Sequence, residues 1–468
     1  MTPRCILLTG ATGNMGSAAL TALLARDADA AIRCLVLPTE RDHPVVRRHK
    51  DDKRVVFVFG DLRRADQVKT AIDGCDLVLH VGGMVSPFAD HHPELTTAVN
   101  VGGAANIVAA IKAQPDPDAV ALVYIGTVAQ TGHRPAPIHW GRTGDPIRIS
   151  QFDHYARTKT EAEAIVAESG LKRWVSLRQT GIIHPGLWKI VDPIMFHNPF
   201  NDVFEWVTVE DAGRLMACVA FDAAPEDFWR GFYNIGGGAA LRLMNHEFAG
   251  LTGQLGGGDF RKGLDVRLFA RRNFHGQWYA DSDRLADLFA FRTQGLDEVL
   301  AMLKKAVPAP ARAIARLAPG LVRQRMAALA RGPGGPLWWE ANDDRAHLDA
   351  YFGSGLKPSL MPDWDQTPLL QADRTPRLLD HGYDQKAALD ALTAQDLDQA
   401  AAFRGLRLVE RHPDPYAPSL WRDADGDTVP LSANLMLRGG HWHGGKMLDV
   451  DQYARTAKTS PFLKQVML

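Results

Sequence analysis

An α/β fold of the Rossmann type, with a doubly wound parallel sheet, is what this sequence predicts, on three observations. From residue 4 to about 240, short apolar runs alternate with helical patterns; the runs are nearly continuous in Val, Ile and Leu; and the first of them empties into a glycine-rich turn that opens a helix. Strands that are apolar on both sides need cover on both faces, and helices crossing between parallel strands supply it.

The strands read in order as RCILLTG, AIRCLVL, RVVFVFGD, DLVLHVGG, ALVYIGT and RWVSLRQTG, with Ala- and Leu-rich helical segments between them. Strand-like and loop segments from about 182 to 290 (IIHPGLWKIVDPIMFHNPF, WVTVEDAGRL, FYNIGGG) predict a small substrate lobe over the ends of that sheet, so that residues 1–295 form one unit. Residues 296–336 read as a basic, proline-punctuated helical linker: from residue 300 to 339, Lys304, Lys305, Arg312, Arg316, Arg323, Arg325 and Arg331 occur with no acid among them. Such a run reads first as a solvated helix face. GPGGP then marks a turn, and residues 337–468 form a C-terminal extension, helical and then β, with a compact module at about 395–450.

With 53 basic against 54 acidic residues, the chain has no global attraction for nucleic acid or anionic membrane, and neither is expected as a partner. The four cysteines, Cys5, Cys34, Cys75 and Cys218, lie in apolar stretches and are expected as reduced, packed thiols. No signal-peptide pattern opens the chain, and no segment reads as a membrane span. A soluble cytoplasmic protein is the expectation.

TGATGNMG, Thr9 to Gly16, follows the first strand directly and opens the helix SAALTALLAR. That context turns a common glycine pattern into a dinucleotide signal, because the glycines allow close backbone approach and the helix amino terminus attracts a pyrophosphate. Gly10, Thr12, Gly13, Asn14, Met15 and Gly16 are the candidates. Asp61, followed by Leu62 at the end of the third strand, is placed to meet an adenine amine, although it could equally cap a helix. The second strand ends in Leu35-Val36-Leu37-Pro38 without a carboxylate for ribose hydroxyls, while Arg33 and Arg41 lie nearby. The cofactor is therefore NADP or NAD with a lean to NADP, set against the closeness of Glu40.

Tyr155-Ala-Arg-Thr-Lys159 opens a further helix, and four-residue spacing puts Tyr155 and Lys159 on one face. An ammonium beside a phenol favours its ionised form, as a general acid/base acting on a hydroxyl or carbonyl requires. Between the glycine turn and this helix, the strand ALVYIGT presents the hydroxyl of Thr127 at its end.

With these residues in place, the chain resembles an extended short-chain dehydrogenase/reductase of the NAD-dependent epimerase/dehydratase group, over roughly residues 4 to 290. TGATGNMG resembles that family's TGxxGxxG, VLHVGG its fourth-strand V-I-H-x-A-A, AVNVGGAANIV its N-x-x-G-T-x-N helix, and LRQTGIIHPG its L-R-P-x-x-x-Y-G-P. The resemblance implies that Thr127 hydrogen-bonds the reacting oxygen, that Tyr155 donates or accepts the proton, and that Lys159 also holds the nicotinamide ribose. It implies that Asn100 helps to order the site, that Val81, Gly82 and Gly83 lie under the cofactor, and that a homodimer forms through a helical face near Tyr155. Gly126, Gln179 and His184-Pro185 depart from the family pattern, all in the nicotinamide and substrate region.

Dehydratases of the group carry an Asp-Glu pair after the threonine, and here Val128-Ala129 stand instead. VSPFADHHPE resembles the dihydroflavonol-reductase and hydroxysteroid-dehydrogenase branch, which puts Val85 and Ser86 by the substrate. His184, leaving the sixth strand's carboxyl end, is the preferred polar residue of the pocket. The expected activity is hydride transfer between nicotinamide and a small-molecule secondary alcohol or carbonyl. A sugar epimerase, or a non-catalytic dinucleotide-binding sensor or scaffold, are the alternatives. The tail resembles a bacterial zinc ribbon in which Asp423, Asp427, His443 and Lys446 stand at the four ligand places; an ammonium is no ligand, so a ribbon-like fold without metal is expected.

Overall fold

The computed structural model describes residues 5–26, 29–255 and 258–467. Seven parallel strands form the central sheet: β1 Cys5–Thr9, β2 Ala31–Val36, β3 Val55–Phe59, β4 Leu77–His80, β5 Ala121–Thr127, β6 Trp174–Gln179 and β7 Gly231–Ile235. Their order is β7-β6-β5-β4-β1-β2-β3, so the chain runs outward to β3, returns beside β1 and continues the other way. The crevice at that reversal is where open α/β sheets bind ligands.

Alternate residues of one strand feed two different cores. Ile6 and Leu8 pack with Ala19, Leu20 and Leu23 of helix α1 (Asn14–Arg26) on one face. Leu7 and Leu122 pack on the other face, with Val68 and Ile72 of α2 (Ala65–Ile72), Ile107 and Ile111 of α3 (Pro93–Lys112) and Val166 of α4 (His154–Ala167). Burying a Leu or Ile side chain fully is worth roughly 1.5–3 kcal/mol, which explains why apolar residues predominate in these strands. Helix α5 (Val209–Phe221) completes the first face with Ala212, Leu215 and Met216. Helix α3, at 20 residues, is long and apolar enough in composition to cross a membrane; Thr96, Asn100, Ala104, Ile107 and Ile111 of it are buried in this fold.

Short strand pairs build the lobe beside the sheet's carboxyl edge. Ile182–Ile183 pairs with Val207–Thr208, Val203–Glu205 with Arg242–Met244, and Trp140–Gly141 with Trp278–Tyr279. The basic stretch is helical, with helices at Leu296–Ala306, Ala309–Leu317 and Pro319–Ala330.

The C-terminal extension is not a detached module. Leu389, Leu397, Ala400, Trp421, Val429, Leu435 and Leu437 share one core with Ala162, Val166 and Trp174, so the extension packs against α4 and the sheet. Leu406–Glu410, Pro418–Asp423 and Thr428–Ser432 form a three-stranded antiparallel sheet. The Lys446 ammonium sits among three carboxylates, touching Asp423 and lying 2.6 Å from Asp425 and 2.8 Å from Asp427, with His443 3.7 Å from Asp423. A fixed positive charge therefore occupies the middle of the acidic group.

Candidate active site

A cleft of about 1040 Å³ runs along the carboxyl ends of β1, β4, β5 and β6. At one end lies the turn between β1 and α1, packed backbone to backbone against the end of β4. A Cβ on Gly10 would come 2.6 Å from Gly82 Cα, and one on Gly16 would come 2.0 Å from the Gly10 carbonyl. Gly10 also has a φ of +72°, which favours glycine. Thr9 Oγ1 accepts from the Gly82 amide at 2.9 Å and fixes the two segments together. The first amides of α1 open onto the resulting ledge, which can hold an anionic pyrophosphate.

Gly10, Thr12, Gly13, Asn14, Met15, Gly16, Val81, Gly82, Gly83, Val85 and Ser86 all line this cleft. Asp61 and Leu62 do not. Arg63 grips the Asp61 carboxylate in a fork of 2.6–3.1 Å, and the Leu62 carbonyl accepts from Asn106 at 2.8 Å.

Arg33 is a correction. Its guanidinium donates to the Ala71 and Asp73 carbonyls at 2.8 and 2.7 Å, at the end of α2, because a mid-strand residue on β2 points to a face of the sheet and not off its end. The residue that does reach the cleft is Glu40. Its carboxylate accepts from Thr12 Oγ1 at 2.9 Å and from the Leu37 amide at 3.1 Å. The expectation of no carboxylate beside the second strand fails because the short helical turn at Pro38–Glu40 folds back on the glycine turn.

At the other end, Thr127, Tyr155 and Lys159 come together. Burial pushes the Tyr155 phenol up to about 12, against the opposing effect of the neighbouring Thr127 hydroxyl. Lys159 is buried, with its ammonium 4.3 Å over the Tyr124 ring, and burial pulls it down to about 7 while Glu163 acts the other way. Asp153 caps α4 through the Ala156 amide at 2.7 Å and so fixes the turn that carries Tyr155. Asn100 does not line the cleft. Its amide spans the Met84 amide and carbonyl and the Thr158 hydroxyl at 2.8–3.0 Å, tying the segment after β4 to α4.

His184 lines the cleft, but at the glycine turn: its Nε2 lies 3.4 Å from Asn14 Nδ2, and its Nδ1 accepts from the Gly186 amide at 3.1 Å. Gln179 lies beside Thr127 in register across β5 and β6. Gly126 also lines the cleft; a Cβ there would meet Gln130 Oε1 at 2.9 Å, Arg178 Cγ at 3.0 Å and Glu163 Oε2 at 3.2 Å.

That crowding identifies a buried hub which sequence reasoning missed. Glu163 takes a fork from Arg178 at 2.7 and 3.0 Å, and 2.9 Å contacts from Gln130 Nε2 and His441 Nε2. Burial works against its charge, yet Arg178 and His441 hold the carboxyl well below the usual range. Its spacing of four from Lys159 was the available signal; nothing local connects it to His441. His275, also missed, lines the cleft from a loop with no motif of its own.

Residues 7–178 match the model of the 3-beta hydroxysteroid dehydrogenase/isomerase family. Among curated relatives, a 2-alkyl-3-oxoalkanoate reductase of Shewanella oneidensis is 33% identical over 117 residues, covering 25% of this chain and 28% of that protein. The mouse 3 beta-hydroxysteroid dehydrogenase type 7 is 25% identical over 201 residues, covering 41% and 49%. The chain thus spans less than half the length of these relatives. Among solved structures, a dTDP-glucose 4,6-dehydratase of Streptomyces venezuelae superposes with a TM-score of 0.53 at 21% identity, covering 65% of this chain and 96% of that one. Sheet order and glycine ledge give the N-terminal part of this chain a doubly wound, dinucleotide-binding type of fold, and within it residues 7–178 are similar to the 3-beta hydroxysteroid dehydrogenase/isomerase family.

Proposed function

We propose that the chain is an oxidoreductase that transfers hydride between the nicotinamide of NAD and the secondary alcohol or ketone of an apolar substrate. One observation carries the choice of substrate. The cleft is also walled by Trp188, Met195, Phe200, Phe204, Trp206 and Phe248, and among its described lining residues Lys159 is the one Lys or Arg. A nucleotide sugar needs cations for its diphosphate, and that wall has none to offer. An apolar body needs surface to be buried against, which the wall has.

Residues at the ledge fit a dinucleotide. Gly10, Gly13 and Gly16 would cradle its pyrophosphate, Val81 to Gly83 would lie beneath it, and Lys159 would hold the nicotinamide ribose. Glu40, at the edge of β2, favours NAD over NADP: its carboxylate accepts from ribose hydroxyls and repels a 2′-phosphate. The lean to NADP rested on a missing carboxylate and on Arg33 and Arg41; Arg33 faces away, and the Arg41 guanidinium lies 3.9 Å over the Phe59 ring. The bound cofactor would supply or accept the hydride. In the reducing direction Thr127 holds the carbonyl oxygen and Tyr155 delivers its phenolic proton there, while the Lys159 ammonium favours the phenolate left behind. Val128 and Ala129, without carboxylates, offer no acid or base for eliminating water.

Incubating the purified chain with NADH or NADPH and a panel of apolar ketones, with UDP-glucose as a contrast, tests the reading through the absorbance of reduced nicotinamide. Oxidation of NADH by at least one ketone is expected. Turnover of the nucleotide sugar, with the ketones inert, would overturn it.

A further inference from the structure

Two loops with no assigned role meet beside the mouth of the catalytic helix. Phe152 and Asn273 are both non-glycine residues in the left-handed region, with φ of +68° and +67°. Strain of this kind persists only where surrounding structure enforces it, and it concentrates at functional sites. The enforcement is visible: Asn273 Oδ1 accepts from the Gln151 amide at 2.8 Å, and Asn273 Nδ2 donates to the Gln151 carbonyl at 2.9 Å. This reciprocal clamp brings His275 Nδ1 to 3.2 Å from Asp153 Oδ2. Both side chains are mostly buried, at 16% and 12% exposure.

A carboxylate only accepts, so Nδ1 carries a hydrogen in either protonation state of the ring, and Nε2 is the nitrogen that can gain or give up a proton. His275 lines the cleft, its ring stacked 4.3 Å from that of Phe274 and edge-on to Phe204. Asp90, whose carboxyl burial pushes up, sits against the same group and accepts from the Tyr155 amide at 3.4 Å. Asp153 lies two residues before Tyr155, and its other oxygen caps the same helix. An imidazole oriented by a buried carboxylate is the arrangement of an acid–base catalyst.

We propose that His275, positioned by Asp153, is the proton relay that returns Tyr155 to its working protonation state in each turnover. The proposal rests on the hydride-transfer reading. In reduction the phenol O–H bond breaks as its proton passes to the substrate oxygen, leaving phenolate. The His275 imidazolium then gives its Nε2 proton to that phenolate through one water, becomes neutral, and recovers a proton from solvent. In oxidation the same proton travels outward.

The test is reduction of decalone, an apolar bicyclic ketone, by NADH in the wild type, His275→Ala and Asp153→Asn. The asparagine keeps the helix cap and removes the carboxylate. Expected for His275→Ala is a kcat lower by roughly a hundredfold, with NADH binding unchanged by fluorescence titration and with turnover restored by added imidazole. A filler of space would show no such rescue. Asp153→Asn should lower kcat with an unchanged melting temperature. Should His275→Ala fail to fold, His275→Gln carries the same kcat comparison. An active wild type with His275→Ala equal to it, or impaired beyond rescue, overturns the relay alone. If decalone is inert with the wild type, any ketone oxidising NADH in the panel replaces it; a wild type inert toward every ketone overturns the hydride reading and the relay with it.

Discussion

His441 Nε2 lies 2.9 Å from Glu163 Oε1, across 278 residues of sequence. Glu163 is one helical turn beyond Lys159, so a residue of the C-terminal extension supports the helix that carries Tyr155 and Lys159. Arg178 strengthens the link by donating to both the Glu163 carboxylate and the Gly439 carbonyl.

Removing one partner of this buried group leaves the others unsatisfied. His441→Ala should lower unfolding free energy by about 2 kcal/mol, the worth of a hydrogen bond to a charged group. Glu163→Gln, which strands the Arg178 charge, should cost about 3 kcal/mol. Urea denaturation measures both; midpoints equal to the wild type would show that the extension does not hold the helix.

Restoring the serine usual for the family at position 126 should harm this protein. Its Cβ would enter space already filled by Gln130, Arg178 and Glu163, and overpacking of that kind costs about 1–3 kcal/mol. Thermal melting of Gly126→Ser checks it, and a raised melting temperature would refute it.

Cofactor choice turns on Glu40. Glu40→Gln removes the charge that the proposed site sets against the ribose hydroxyls, so KM for NADH should rise about tenfold while KM for NADPH falls. Steady-state kinetics with both cofactors decide the matter. Unchanged values for both would remove Glu40 from the ribose site.

Lys159 carries a stability signature with a definite sign. Burial draws its value down from 10.5 to about 7, so between those pH values the unfolded chain binds more protons than the folded one. Its contribution therefore becomes more favourable as pH rises from about 7 toward 10.5. Lys159→Met should be more stable than the wild type below pH 7, with the difference shrinking as pH rises. Denaturation of the cofactor-free proteins across that window tests this; a difference constant with pH contradicts it.

The sheet and the glycine ledge were legible because their causes are local. Runs such as ALVYIGT report burial on both faces, and TGATGNMG reports a turn that only glycine can make. Tyr155 and Lys159 followed from helical spacing. Arg33 was misplaced because direction off a strand depends on whether a residue is inside it or past its end, and the strand runs through Val36. Glu40 needed the fold-back at Pro38–Glu40, His275 the clamp from Asn273 to Gln151, and His441 the docking of the whole extension. None of these long-range closures has a periodic or motif signature. Gly126, unexplained in sequence, is explained once Gln130, Arg178 and Glu163 are seen to fill the space beside it.

The central claim is that Tyr155 moves the proton while a nicotinamide dinucleotide exchanges the hydride with an apolar alcohol or ketone. Tyr155→Phe removes one hydroxyl and keeps the ring that packs beside Ala156 and Ala129. Turnover of an apolar ketone with NADH should fall by about a thousandfold or more, while the dissociation constant for NADH stays the same. A Tyr155→Phe protein that reduces the ketone at the wild-type rate would contradict the assignment.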